Sequence, residues 1–115
     1  MTVDPQLDLV HRAIRSGIFG NIEWKDTAEK RIRADPEMNG LTRDIIRDYL
    51  RRFVLDGGSL AVRQETRAEW LDADDPYWYR ALIPIPDYPR PLFLEVKVLD
   101  DDSDEPFVSI VSAHF

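Results

Sequence analysis

Two apolar runs at the C-terminal end of the chain, PLFLEVKVLD (Pro91–Asp100) and EPFVSIVSAHF (Glu105–Phe115), restrict the fold more than any other stretch. Val, Ile, Leu and Phe fill both, and the acidic segment Asp100–Glu105 joins them. Apolar runs of strand length, bounded by charged and turn-forming residues, are the pattern of a hairpin buried in the middle of a sheet. Such a hairpin needs neighbours on its edges and cover on its face. The rest of the chain is read as supplying both.

The residues just upstream change to a period of two. Leu60–Arg67 (LAVRQETR) places Leu60, Val62, Gln64 and Thr66 on one side and Ala61, Arg63, Glu65 and Arg67 on the other, which predicts a half-exposed strand. Tyr77–Ile85 (YWYRALIPI) predicts a second strand. The prolines at 84, 86, 89 and 91 end it, because proline cannot donate within a central ladder.

The first half has helical spacing instead. Asp4-Pro5 resembles an N-cap with proline at the first helical position, and Leu7, Val10 and Ile14 share a face, so a first helix is predicted from about Pro5 to Ser16. Gly17 and Gly20 bracket a turn, and Asn21–Trp24 is either a short extended piece or a loop. Asp26 with Glu29 forms a capping-box-like start to a short second helix that ends at Asp35-Pro36, followed by a turn at Asn39-Gly40. The third helix has the fullest signature. Thr42 is the N-cap, and Leu41, Ile45, Ile46, Tyr49, Leu50, Phe53 and Val54 form a wide stripe opposite Arg43, Arg47, Asp48, Arg51 and Arg52. Gly57-Gly58 is the stop. The expected fold class is α+β, with N-terminal helices (residues 1–58) packed on one face of a four-stranded antiparallel sheet (residues 59–115) in a single domain spanning 1–115.

Composition narrows the functional classes. With 43% hydrophobic residues in 115, the chain has material for one core, and without cysteine it has neither disulfides nor thiolate metal ligands. The N-terminus lacks a basic region and a long apolar run, and no membrane-spanning stretch is present, so a soluble cytoplasmic protein is expected. The net charge of −7 is unevenly placed. Residues 1–60 carry ten basic and ten acidic groups, and residues 61–115 carry five and twelve. Two segments hold much of the surplus, Asp72, Asp74 and Asp75 in one and Asp100–Glu105 in the other. Such a surface disfavours nonspecific nucleic-acid binding but leaves room for a local basic groove.

The chemical candidates are few. His114, placed by strand alternation with Ser112, Ile110 and Val108, is a candidate general acid or base, because an ordinary imidazole titrates near neutrality. Arg80 interrupts an otherwise apolar strand between Trp78 and Leu82. It must therefore reach a carboxylate, with Glu95 and Lys97 on the neighbouring strand as its natural partners, or line a cleft. Arg63, Glu65 and Arg67 share a strand face, either as an ion-pair ladder or as a site with Glu65 as general base and the arginines on a phosphate. Tyr77, Trp78 and Tyr79 alternate in direction, so they cannot form one flat stacking platform with Trp70, and core packing is expected for them. His11 is assigned to the surface. Asp100, Asp102 and Asp104 begin like a calcium loop, but Glu105 and Val111 stand where glycine and a bidentate glutamate are needed. No metal or cofactor is expected.

The segments IEWKDTAEKRI and GLTRDIIRDYLRRFV, followed by strands ending in VSIVSAHF, resemble the layout of the RelE-like toxin superfamily, which includes barnase-like and colicin-nuclease-like folds. The resemblance covers roughly residues 22–115 and implies helices before a curved antiparallel sheet. It also implies RNA cleavage through the substrate's own 2′-hydroxyl, with Arg63, Arg80 and His114 as the matching positions. The lack of a basic cluster on the last two strands, where only Lys97 is basic, is a departure from that family. Two functions are carried forward: a RelE-like ribonuclease or inactive relative acting on RNA, and a noncatalytic acidic domain that binds a protein partner in the manner of an antitoxin or accessory subunit. An exposed edge strand, Leu60–Arg67 or Tyr77–Ile85, is the expected route to a homodimer.

Overall fold

The computed structural model describes residues 4–16, 20–38, 40–68 and 76–115. The chain runs α1 (Leu7–Arg15), β1 (Ile22–Trp24), α2 (Asp26–Ala34), a 3₁₀ turn (Pro36–Met38), α3 (Arg43–Leu55), β2 (Ala61–Gln64), β3 (Tyr77–Ile83), β4 (Leu92–Asp100) and β5 (Phe107–His114). The sheet order is β1-β5-β4-β3-β2. The four expected strands form the antiparallel meander. The sheet nevertheless has five strands and is mixed, because β1 pairs parallel to β5 through Ile22↔Val108 and Trp24↔Ile110. Backbone bonds flank this short strand: Val108 N–H donates to Asn21 O and Lys25 N–H to Ile110 O, both 3.0 Å. The Asn21 side chain also donates to Pro106 O.

Helix boundaries differ from expectation mainly at the caps. In α1 the N-cap position is Gln6 rather than Asp4, and in α2 it is Lys25; neither makes a side-chain cap bond, so Asp26 sits in the first turn of α2 instead of capping it. Thr42 does cap α3, its Oγ1 accepting from Ile45 N–H at 3.3 Å. The left-handed Gly57 (φ 95°) ends that helix as its position suggested. Of the predicted α3 stripe, Ile46, Leu50 and Val54 are buried, whereas Ile45 is 42% exposed. The turn residue Gly40 is left-handed; Gly17, Asn39, Trp70, Asp72, Asp74 and Asp75 lie outside the described residues.

Val10, Ala13 and Ile14 of α1, Ile32 of α2, and Ile46, Leu50 and Val54 of α3 join Tyr79, Ala81, Ile83, Leu92, Leu94, Val96, Val108, Ile110 and Ala113 in one hydrophobic cluster. The helices therefore cover one face of the sheet, as the α+β reading requires. At the centre of this layer the fully buried Tyr79 accepts, through its hydroxyl, a hydrogen bond from Gln6 N–H (2.9 Å). Among the described residues, no helix is long and apolar enough to cross a membrane. β2 is an outer strand, and it pairs with Tyr77–Arg80 of β3, so that part of Tyr77–Ile85 is not an edge.

Candidate functional site

Strand alternation directs every second side chain to the face away from the helices. On β3 these are Trp78, Arg80 and Leu82; on β4, Phe93, Glu95 and Lys97; on β5, Ser109, Ser112 and His114. The register sorts them into rows. Arg63 is opposite Trp78, Arg80 is opposite Glu95 and Glu95 opposite Ser112, and Leu82 is opposite Phe93 and Phe93 opposite His114.

His114 reaches this face through an irregularity. Glu95 pairs with Ser112 but Val96 pairs with Ile110, leaving Val111 as an extra residue in β5. A bulge of this kind reverses the alternation beyond it. His114 is therefore in phase with Ser112 and not, as simple alternation predicts, with Ile110 and Val108, which point into the core. Without the bulge the imidazole would face the helices.

The outer face has two different halves. Around β2 the chain turns back over the sheet: Glu65 N–H still donates to Pro76 O (2.7 Å), and Arg67 then reaches across to β4. Arg67 Nε donates to Glu65 Oε1 at 2.8 Å and Nη1 to Glu95 Oε1 at 3.1 Å, while Nη2 contacts both Glu65 and Glu95. Lys97 Nζ donates to Glu65 Oε2 and to Tyr77 O, each at 3.1 Å. The guanidinium also lies over the Trp78 ring, 5.8 Å from its centroid. Two acids and two bases thus form a neutral, interlocked quartet, with Glu65, Glu95 and Lys97 all buried. The Arg67 hydrogen bonds hold the Glu65 carboxyl down at about 2 against the opposing effect of burial, and the same pairing raises Arg67. Glu65 is a fixed anion in this arrangement. A carboxylate that weakly basic is poorly matched to proton abstraction near neutrality.

The other half is open and aromatic. Phe93 stacks on His114 (centroids 4.5 Å apart, planes 16° apart) and meets Trp78 at 6.2 Å, with Leu82 43% exposed beside it. The backbone oxygen of Phe115 can only accept, so the 3.2 Å contact assigns Nδ1 of His114 as a donor, which in the neutral tautomer makes Nε2 the acceptor.

Arg80 sits one row away. Its expected ion pair with Glu95 is absent although the two are cross-strand partners, because Arg67 occupies both Glu95 oxygens. Arg80 makes no ion pair with any described residue, and Lys97 is turned to Glu65.

With strands about 4.8 Å apart and about 3.3 Å per residue along them, the Cα atoms of Arg80 and His114 are roughly 12 Å apart, within joint reach of one ligand. Arg63, exposed on β2, is roughly 20 Å from His114 by the same lattice. Of the four predicted site residues, the structure brings Arg80 and His114 together, leaves Arg63 at the far corner and places Glu65 in the quartet with Arg67 and Lys97 rather than between two arginines. Sequence reasoning did not single out Phe93 as the ring under the histidine. Its only signal was sharing a strand face with Glu95 and Lys97, two and four residues further on, which is not specific.

His11 is half-buried and its Nε2 accepts a hydrogen bond from Leu60 N–H at 3.2 Å, so it is not the free surface residue expected. Burial, then Arg15, lower its pKa, with Asp8 opposing. Comparison with protein-family models, curated proteins and solved structures finds no match to the chain.

Proposed function

We propose that the open half of the outer sheet face binds single-stranded RNA and cleaves it by attack of the substrate's own 2′-hydroxyl. The observation that carries this reading is the pairing of a ring-stacked imidazole, His114 on Phe93, with an arginine one row away whose natural carboxylate partner is already occupied. Nε2 of neutral His114 takes the 2′-hydroxyl proton, and the oxygen attacks the adjacent phosphorus. The bond from phosphorus to the 5′ oxygen breaks, and that oxygen leaves with a proton returned by the imidazolium. The products are a 2′,3′-cyclic phosphate and a 5′-hydroxyl. Arg80 neutralises the charge that grows on the nonbridging oxygens. Phe93 and Trp78 offer ring faces for a flanking base.

A second reading, a noncatalytic docking face for a protein partner, draws on exposed Leu82 beside Phe93 and on the net charge of −7. Incubating the protein and its His114→Ala and Arg80→Ala variants with a single-stranded RNA at low salt, without added metal, decides between them. The nuclease reading requires cyclic-phosphate product and a loss of at least about tenfold in each variant, equivalent to about 1.4 kcal/mol of transition-state stabilisation. Absence of cleavage, or cleavage indifferent to both changes, leaves the docking face as the better account.

A further inference from the structure

Glu95 and Arg80 face each other directly across β3 and β4, the arrangement in which opposite charges normally pair. They do not pair here. Arg67, arriving from the segment that follows β2, engages both carboxylate oxygens of Glu95 while a third contact ties it to Glu65. The carboxylate is buried and held by Arg67 through both oxygens, and Arg80 makes no ion pair with it.

We infer that Arg67 is a positioning residue: by capturing Glu95 it keeps Arg80 un-neutralised and able to take an anionic group of a ligand on the outer face. The inference rests on the proposed anion-binding role of that face, and it supplies a reason for placing two arginines against one glutamate. If Arg67 were absent, Glu95 would turn to its cross-strand neighbour. A phosphate would then have to displace an intramolecular carboxylate before it could bind Arg80. The quartet is thus more than a staple. It decides which of two arginines is spent on the protein and which is left for the ligand. Lys97 completes the balance by compensating Glu65, so that Arg67 can serve both acids at once.

The test uses the intact chain with two readouts. One is binding of a fluorescent single-stranded RNA at low salt; the other is the rate at which an arginine-directed dicarbonyl reagent modifies Arg80, followed by peptide mass spectrometry. Arg67→Met is expected to weaken RNA binding about tenfold, the loss of one charge-assisted contact, and to slow Arg80 modification. The double variant Arg67→Met with Glu95→Gln is expected to restore both, because no carboxylate remains to capture Arg80. Removing the buried acid would also relieve a merely structural loss, so the separating readout is Arg80 modification, which a structural role alone would not slow in the folded Arg67→Met variant.

Glu95→Gln alone is expected to leave Arg80 at least as reactive as in the wild type, and this variant keeps the test alive if Arg67→Met fails to fold. Arg80 modification that is equal in wild type and folded Arg67→Met, that stays slow in the double variant, or that slows in Glu95→Gln would overturn the inference. If the wild type binds no RNA while the labelling pattern holds, the RNA reading fails and the positioning role stands.

Discussion

Replacing Lys97 by Met tests the buried quartet most directly. Lys97 is 3% exposed, and its aliphatic stem is close in size to Met, so the substitution removes an ammonium with little change in volume. It deletes the 3.1 Å bonds to Glu65 and Tyr77 O and converts two acids with two bases into a cluster carrying one surplus negative charge. Removing one member of a buried pair costs about 3–5 kcal/mol; because Arg67 still holds Glu65, the lower end applies, about 3 kcal/mol. For 115 residues the unfolding entropy is on the order of 240 cal/mol/K, so Tm should fall by about 12 °C.

The pH dependence gives an independent check on that magnitude. Glu65 is lowered from 4.5 to about 2 in the folded state, with the Arg67 hydrogen bond the largest cause. A depressed carboxyl stabilises the fold above the unfolded value and loses that contribution as pH falls through the folded one. The wild type should therefore lose on the order of 2–3 kcal/mol between about pH 4.5 and 2, allowing for the partly exposed Arg67, and Glu65→Gln should lack that component. Urea denaturation of wild type, Lys97→Met, Glu65→Gln and the double variant Lys97→Met with Glu65→Gln at pH 7 is the assay. The double variant restores neutrality and should recover more than half of the loss. A Lys97→Met cost below about 1 kcal/mol, or a double variant as unstable as the sum of its singles, would refute the claim that the quartet is a balanced unit.

Three further predictions concern the fold. Protonating His11 removes the acceptor for Leu60 N–H. Its lowered pKa means stability is intact above about 6.5 and falls as pH drops below it, and His11→Phe, compared with wild type by urea titration at pH 7.5 and 5.5, should cost about 1–2 kcal/mol at the higher pH while flattening the decline. Gly20 and Gly57 are both left-handed, but a Cβ at Gly20 would lie 2.7 Å from Ile14 O and one at Gly57 would meet nothing within 4 Å; Gly57→Ala should cost about 1 kcal/mol and Gly20→Ala clearly more, read as Tm differences. Leu50→Ala, in a fully buried position, should cost about 3–4 kcal/mol by denaturant unfolding.

Local pattern was enough wherever a segment carried its own periodicity. The runs at Leu92–Asp100 and Phe107–His114, the wide stripe of α3 with its Thr42 cap, and the reversal of direction at Trp78 relative to Tyr77 and Tyr79 could all be read before any coordinates. β1 could not. Ile22–Trp24 has three residues and no alternation to count, and its strand character comes from bonds to Asn21 and Lys25 on either side and from a parallel partner more than eighty residues away. The phase of His114 was misread for a related reason. Alternation assumes an unbroken ladder, and the extra residue at Val111 is visible only in the pairing of β5 with β4.

The charged residues show the same limit more sharply. From the sequence, Glu65 lies between Arg63 and Arg67, and Arg80 faces Glu95; both pairings are reasonable on one strand or across one strand pair. The folded chain makes neither in full, because Arg67 leaves its own strand and takes Glu95 while Lys97 takes Glu65. This exchange also reconciles a net charge of −7 with the cationic face proposed to take a ligand. Glu65 and Glu95 are cancelled where they are buried, whereas the exposed acids Asp100–Glu105 sit in the β4–β5 connection, beyond the row of Lys97 and away from the row of His114. On the β2 and β3 side, Arg63 and Arg80 are the described charges that remain after the quartet is counted. Attraction of an anion should therefore be local and short-ranged, weakening steeply over the ionic strengths at which the Debye length shrinks from about 30 Å to about 8 Å, since beyond that distance the acidic remainder of the chain repels the same ligand.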